Sequence, residues 1–208
     1  LEMIDQTTSD YLTPDENGEI QPFHIYYLTV SGHLEYNFYD DDMAVKNRDA
    51  VEDMDMSDAC KAYMAANIEL DKAMELLLER LEEAGELDNT VIALAGDHYP
   101  YGLSSSEISE FRGHQIDETY ELYKSTFILW TPGMEPETVD KLSSNMDILP
   151  TLSNMFGLEY DSRLLMGRDI FSDSEGFVVF KDKSWISERG TRDDLLEEDE
   201  EYTSRVDK

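Results

Sequence analysis

The sequence predicts an α/β fold: a layered α/β/α sheet flanked by helices, with a small C-terminal antiparallel hairpin or sheet. Three observations carry this reading. Apolar runs of strand length recur at Phe23–Val30, Thr90–Ala95 and Ser125–Trp130. A long amphipathic helix lies between the first two. Near the end, Phe177–Phe180 and Ser184–Ser187 are separated only by Lys181-Asp182-Lys183, which is a hairpin signal.

Residues 1–20 are polar and turn-rich (Thr13-Pro14, Asn17-Gly18) and read as a lead-in loop. Phe23–Val30 is nearly continuous in apolar and aromatic residues and stops at Ser31-Gly32, which predicts a buried strand. Residues 35–56 are acidic and irregular and read as a surface loop. From Ser57 to Glu83, Ala59, Tyr63, Ala66, Leu70, Ala73, Leu77, Leu81 and Ala84 recur at steps of three and four. That spacing predicts a helix with Ser57 as N-cap and Gly85 just past its end. Thr90–Ala95 predicts a second strand and Ser125–Trp130 a third, the latter stopped by Thr131-Pro132-Gly133. A shorter helix is expected from Asp147 to Phe156, with Pro150 in its first turn and Gly157 ending it.

The chain carries 48 acidic and 16 basic residues, a formal net charge of −32. Such a surface repels nucleic acid, which excludes a nucleic-acid partner, and it tolerates or recruits cations. A polyanionic substrate would need a locally positive site, and a bound divalent metal supplies one. Cys60 is the single cysteine, so no internal disulfide forms. No run approaches the roughly 20 apolar residues that span a bilayer, so the chain itself is expected to be soluble. It begins at Leu1 without a signal segment and reads as a piece of a longer parent.

Two places carry candidate chemistry. Asp97-His98 directly follows a predicted strand, where ligands gather in open α/β sheets, and a carboxylate beside an imidazole suits a borderline divalent ion. Ser31-Gly32-His33 also follows a strand, so His33 would share that rim if the strands run parallel. There it could bind a phosphoryl oxygen or protonate a leaving alkoxide. Taken singly, Asp97-His98 also reads as a plain turn and His33 as a surface or capping residue. Arg112 and His114 follow the Ser104–Ser106 segment and would reach a substrate if that loop folds back; an ordinary surface loop is the competing reading. His24, inside the first run, is expected to face a sheet or sit at its edge, without a catalytic role. Asp53, Asp55, Ser57 and Asp58 lack the glycine and glutamate of a calcium loop and read as a solvated helix start. Cys60 reads as packing.

The ordered set of these pieces resembles the C-terminal half of sulfatase and alkaline-phosphatase superfamily domains. The pieces are Thr29-Val30-Ser31-Gly32-His33, the long helix, Leu87-Asp88-Asn89-Thr90-Val91-Ile92 leading to Gly96-Asp97-His98, Phe127 to Gly133, and Met146 to Leu152. The form of the His33 motif and the closing Ser184-Trp185-Ile186-Ser187 are most similar to the lipoteichoic-acid-synthase branch of phosphoglycerol transferases. The resemblance covers roughly Pro22 to Gly190. It implies an incomplete alkaline-phosphatase-like catalytic part at 1–175, an antiparallel appendage at 176–190 and an acidic tail at 191–208. It implies that Asp97 and His98 are metal ligands, with Mn²⁺ the usual ion. It implies that His33 is catalytic and contacts the phosphoryl group of the substrate; Arg112 and His114 join it as substrate contacts only on the reading that their loop folds back. The family reaction is a double displacement on a phosphatidylglycerol-like donor, with a glycerophosphate polymer or glycolipid as acceptor. The parent would be anchored in the bacterial cell membrane with this domain outside. The upstream acidic ligand and threonine nucleophile have no counterpart here, so the isolated chain is expected to be inert and to bind Mn²⁺ weakly. Ser125-Thr126 stands where the branch usually has Val-Pro. A sulfatase or phosphatase of the same fold, or a non-catalytic acidic envelope domain, are the alternatives.

Overall fold

The computed structural model describes residues 1–192, so the expected acidic tail lies almost wholly outside the described residues. The chain forms two compact units, Leu1–Met134 and a second beginning at Glu135.

In the first unit the predicted long helix forms the spine. It is preceded by α1 (Glu2–Leu12) and α2 (Asp42–Lys46) and is itself α3 (Asp58–Ala84). The Ser57 side chain accepts from the Cys60 amide, and Gly85 ends the helix at φ 75°. The buried residues of α3 are Cys60, Ala62, Ala65, Ala66, Glu69, Ala73 and, near its end, Leu81. Small residues there let neighbouring segments approach closely: Tyr36, Ala44, Val51, Leu103, Ile108 and Ile116 close one core with Ala62, Ala65 and Ala66. Residues 35–56 are therefore not a surface loop. Most of their acidic residues face water, while Tyr36, Ala44 and Val51 are buried and the half-buried Asp41 caps α2 through the Met43 and Ala44 amides.

The one buried charge of this core sits between α2 and α3. Glu69 is 3% exposed and receives Lys46 Nζ at 2.8 Å, Asn47 Nδ2 at 2.9 Å and Lys72 Nζ at 3.3 Å. Burial alone would raise its carboxyl, but these donors outweigh it and hold the group down to about 2.

Residues 1–20 also depart from expectation, because α1 packs on α3. Ile4 and Thr8, one turn apart, are its buried positions, and Asp5 meets Arg80 at 3.0 Å. Two inward residues in a polar sequence are too weak a stripe to announce a helix. The Ser104–Ser106 segment likewise starts a helix rather than a loop: Ser104 and Glu107 form a reciprocal capping box for α4 (Ser105–Arg112).

The sheet is smaller and differently paired than expected. Two strands, β1 (Ile92–Ala95) and β2 (Phe127–Trp130), run antiparallel with Ile92 opposite Trp130 and Ala95 opposite Phe127. Thr131 Oγ1 donates to the Thr90 carbonyl at 2.9 Å beside one end of the ladder. Each cross-strand pair joins one exposed and one half-buried side chain, so neither face is fully covered. Residues 20–29 form no backbone hydrogen bond among the described residues, and the expected buried strand there is an exposed segment. Tyr26 is 80%, Leu28 61% and Val30 76% exposed. Apolar patterning marks an affinity for burial, and here the described residues cover only Phe23 and Tyr27 in part, through the Tyr11 ring at 4.9 Å from Phe23 and the Thr7 and Tyr11 hydroxyls at 2.7 and 3.0 Å from that of Tyr27. His24 is exposed on this segment, and no sheet faces it among the described residues.

The second unit holds α5 (Ile148–Met155), which ends in a left-handed Gly157 at φ 63°. Before it, the buried Asp147 carboxylate accepts the Ser144 amide at 2.6 Å and the Arg168 amide at 2.7 Å. The predicted hairpin is present: β3 (Phe177–Val179) pairs antiparallel with β4 (Trp185–Ser187) through the Lys-Asp-Lys turn, and β5 (Gly190–Thr191) adds to β4. Trp185, 2% exposed, anchors it against the Phe177 ring. No helix of the described residues is long and apolar enough to cross a membrane.

Candidate active site

Two loops far apart in sequence meet in the first unit. One is the turn that follows the exposed segment, closed by the His33 amide donating to the Val30 carbonyl at 3.1 Å. The other leaves β1 through Gly96 and carries Asp97 to Leu103. They meet through packing. A Cβ on Gly102 would lie 2.9 Å from the buried Tyr36 ring and 3.2 Å from Leu34 Cβ, so only glycine lets this backbone rest on residues 34 and 36. Leu103, 5% exposed, then enters the same core. On its other side the His33 turn lies on α3, where a Cβ on Gly32 would meet Asn67 Oδ1 at 2.8 Å.

The result places His33, Asp97 and His98 together. The two imidazole centroids are 5.9 Å apart and nearly perpendicular. Among the described residues no parallel strand pair sets a common rim; the Gly102–Tyr36 contact brings the two loops together instead.

The hydrogen bonds fix which atoms are free. His98 Nδ1 lies 2.8 Å from the Tyr99 carbonyl, which can only accept, so Nδ1 carries a proton, and in the neutral imidazole the lone pair is on Nε2. That arrangement is common among metal-binding histidines. Nε2 is 3.7 Å from Asp97 Oδ1, which also accepts the His98 amide at 3.0 Å and keeps a second lone pair for a cation. Two donor atoms bound at about 2.1 Å with a tetrahedral or slightly wider angle lie about 3.4–3.7 Å apart, so this pair fits one edge of a divalent-metal shell. Among the described residues no cluster of three or more His, Cys, Asp or Glu is arranged to hold a metal. Two protein ligands fit the ion; a full shell needs more.

A residue that sequence reasoning passed over joins the group. The Tyr101 hydroxyl is 3.1 Å from His33 Nε2, and its ring centroid is 4.8 Å from that of His98. The signal was in the run Tyr99-Pro100-Tyr101-Gly102: an aromatic beside a glycine that permits close approach. Below the site, burial pushes the Tyr36 hydroxyl up to about 12, with Tyr63, Tyr101, Asp41 and Asp97 adding to it.

Arg112 and His114 are placed otherwise. Arg112 Nη2 donates to the Lys124 carbonyl at 2.6 Å, and His114 Nε2 meets Glu121 Oε1 at 2.7 Å. The Asp117 amide and His114 hold the Glu121 carboxyl below its usual range. Neither Arg112 nor His114 hydrogen-bonds to His33, Asp97 or His98. Cys60 is buried, and burial pushes its thiol up to about 11, so it packs rather than attacks.

The sulfatase family profile matches residues 2–158, most of the chain. The chain belongs to the sulfatase family. Among proteins similar to it are the lipoteichoic acid synthase-like YvgJ of Bacillus subtilis strain 168, 27% identical over 80% of this chain and 28% of that protein. The lipoteichoic acid synthase of Staphylococcus aureus strain USA300 is 25% identical over 80% of the chain and 26% of that protein. The chain spans about a quarter of the length of these curated relatives. In three dimensions it resembles the lipoteichoic acid synthase LtaP from Listeria monocytogenes, with a TM-score of 0.59 at 20% identity, covering 86% of this chain and 49% of that one. That likeness supports the alkaline-phosphatase-like α/β fold of this sulfatase-family chain.

Proposed function

We propose that this chain is the C-terminal part of the catalytic domain of a phosphoglycerol transferase similar to lipoteichoic acid synthases. The observation that carries the reading is the meeting of His33 with Asp97 and His98 at 5.9 Å between imidazole centroids. Asp97 Oδ1 and His98 Nε2 provide two ligand atoms for a divalent cation, Mn²⁺ in this proposal. When bound, the cation would supply the positive charge that activates a nucleophile and neutralises phosphoryl oxygens.

The chain's own residues then divide the work. Asp97 and His98 hold the charge at the tip of the β1 loop, in a protein whose surface is otherwise strongly anionic. His33, beside them, serves the phosphoryl group or the leaving oxygen as the imidazolium, which carries a proton on Nε2 as well as on Nδ1 and can donate it. Arg112 and His114 serve as further substrate contacts, which requires them to release Lys124 and Glu121. The donor is a phosphatidylglycerol-like lipid and the acceptor a glycerophosphate polymer or glycolipid hydroxyl. The whole protein is membrane-anchored with this domain outside the cell, and the nucleophile is contributed by residues other than those of this chain.

The test is turnover of a labelled phosphatidylglycerol by the longer polypeptide that carries the chain. Asp97→Ala and His98→Ala should each reduce it by more than about a hundredfold, with the fold retained because both side chains are exposed. Full turnover by either variant, or by this chain alone, would sink the proposal. Hydrolysis of sulfate esters in place of glycerophosphate transfer would move it to the sulfatase branch.

A further inference from the structure

We infer that Tyr101 is a positioning residue for His33, fixing its tautomer and the direction of its ring. The inference rests on the catalytic reading of His33 above, but its primary evidence does not. The Tyr101 hydroxyl and His33 Nε2 are 3.1 Å apart. On the other side of the imidazole, Nδ1 lies 3.4 Å from the Leu34 carbonyl. A carbonyl only accepts, so the arrangement that satisfies both contacts has Nδ1–H directed at Leu34 and the Tyr101 hydroxyl donating to Nε2. This is the minor tautomer of free histidine in water, so the surroundings must select it.

Tyr101 is held well enough to do so. Its ring lies 4.8 Å from His98 and 6.0 Å from His33, and it also meets Tyr99 at 6.3 Å. The next residue is Gly102, seated on Tyr36 and Leu34. The hydroxyl is therefore aimed by the same packing that brings the loops together. One side chain thus touches both imidazoles: it hydrogen-bonds His33 and braces the ring of His98. His98 does not depend on it for its own tautomer, which the Tyr99 carbonyl sets at 2.8 Å. That independence provides an internal control.

The experiment is nitrogen NMR of the histidine side chains in this chain, metal-free, at a pH where the imidazoles are neutral, for the wild type and Tyr101→Phe. The phenyl ring keeps the contact with His98 and removes only the hydroxyl. The wild type should show His33 with Nδ1–H, and Tyr101→Phe should move it predominantly to Nε2–H while His98 stays unchanged. His33 already in the Nε2–H form in the wild type, or unmoved by the substitution, overturns the inference. In the longer polypeptide, Tyr101→Phe should lower kcat roughly tenfold with KM little changed, as expected when a reacting group loses its orientation rather than its binding. A tautomer change without loss of kcat also overturns the positioning role. Because the first readout needs neither metal nor substrate, it can succeed where the transferase assignment fails, and the reverse. Tyr101→Leu, which drops the ring contact as well, should give the same His33 shift; a wild-type His33 signal in that variant counts against the inference.

Discussion

The two sides of the first unit differ in how their apolar residues are treated. Between α2, α3 and α4, small side chains allow close approach, and Ala44, Cys60, Ala62, Ala65 and Ala66 are fully buried. In the 20–30 segment and the β1–β2 ladder, larger apolar side chains such as Tyr26, Leu28, Val30, Ile128 and Trp130 remain exposed. Hydropathy alone would have ranked these regions the other way. Burial follows from available partners as well as from apolar character, and the candidate site lies where the two regimes meet: His33 ends the open segment, while Gly102 and Leu103 anchor the other loop in the packed side.

The comparison can be broken at several points. The largest effect is expected at Glu69, the charge that ties α2 to α3. Glu69→Ala should cost about 2–3 kcal/mol, since Lys46 and Lys72 regain water while the Asn47 amide loses its acceptor. Its carboxyl is lowered from 4.5 to about 2 on folding. A depressed carboxyl stabilises the fold above its unfolded value, and this contribution fades as pH falls from 4.5 toward about 2. Acid denaturation followed by circular dichroism should show a loss of stability in that window that is larger in the wild type than in Glu69→Gln. Next, Gly102→Ala should cost about 1–3 kcal/mol by overpacking Tyr36. It should also weaken proton–proton cross-relaxation between His33 and Tyr101. Unchanged cross-relaxation would show that the loops meet for another reason. Third, Ser57→Ala should cost about 1 kcal/mol through the lost cap on α3, read by thermal denaturation. The smallest effects belong to the open side: Leu28→Ser and Val30→Thr should each change stability by less than about 0.5 kcal/mol. A loss several times larger would mean that this segment is packed after all.

What the sequence revealed follows the same division between local and distant causes. Helix α3 was legible from start to stop because its three- and four-residue spacing, Ser57 and Gly85 all act locally. The Lys181–Lys183 hairpin was legible for the same reason. Asp97-His98 was findable because a β-branched run announces the chain just before it. Helix α1 was hidden, with only Ile4 and Thr8 turned inward. The segment around Ala44 and Val51 was hidden by the acidic residues on its outer side. The antiparallel pairing of β1 with β2 and the seating of Gly102 on Tyr36 are contacts between distant residues, and no local pattern encodes them. The nearness of His33 to His98 was expected on condition of parallel strands; it arises instead from Gly102 seated on Tyr36 and Leu34.

The central claim is that Asp97, His98 and His33 form one cation-sized site rather than part of a diffusely acidic surface. Substoichiometric Mn²⁺ added to the chain, with paramagnetic broadening followed at all four histidines, tests it most directly. The account predicts that His98 broadens first and His33 with it, ahead of His24 and His114, and that Asp97→Ala abolishes the preference. Broadening of His98 no greater than that of His24 would contradict it.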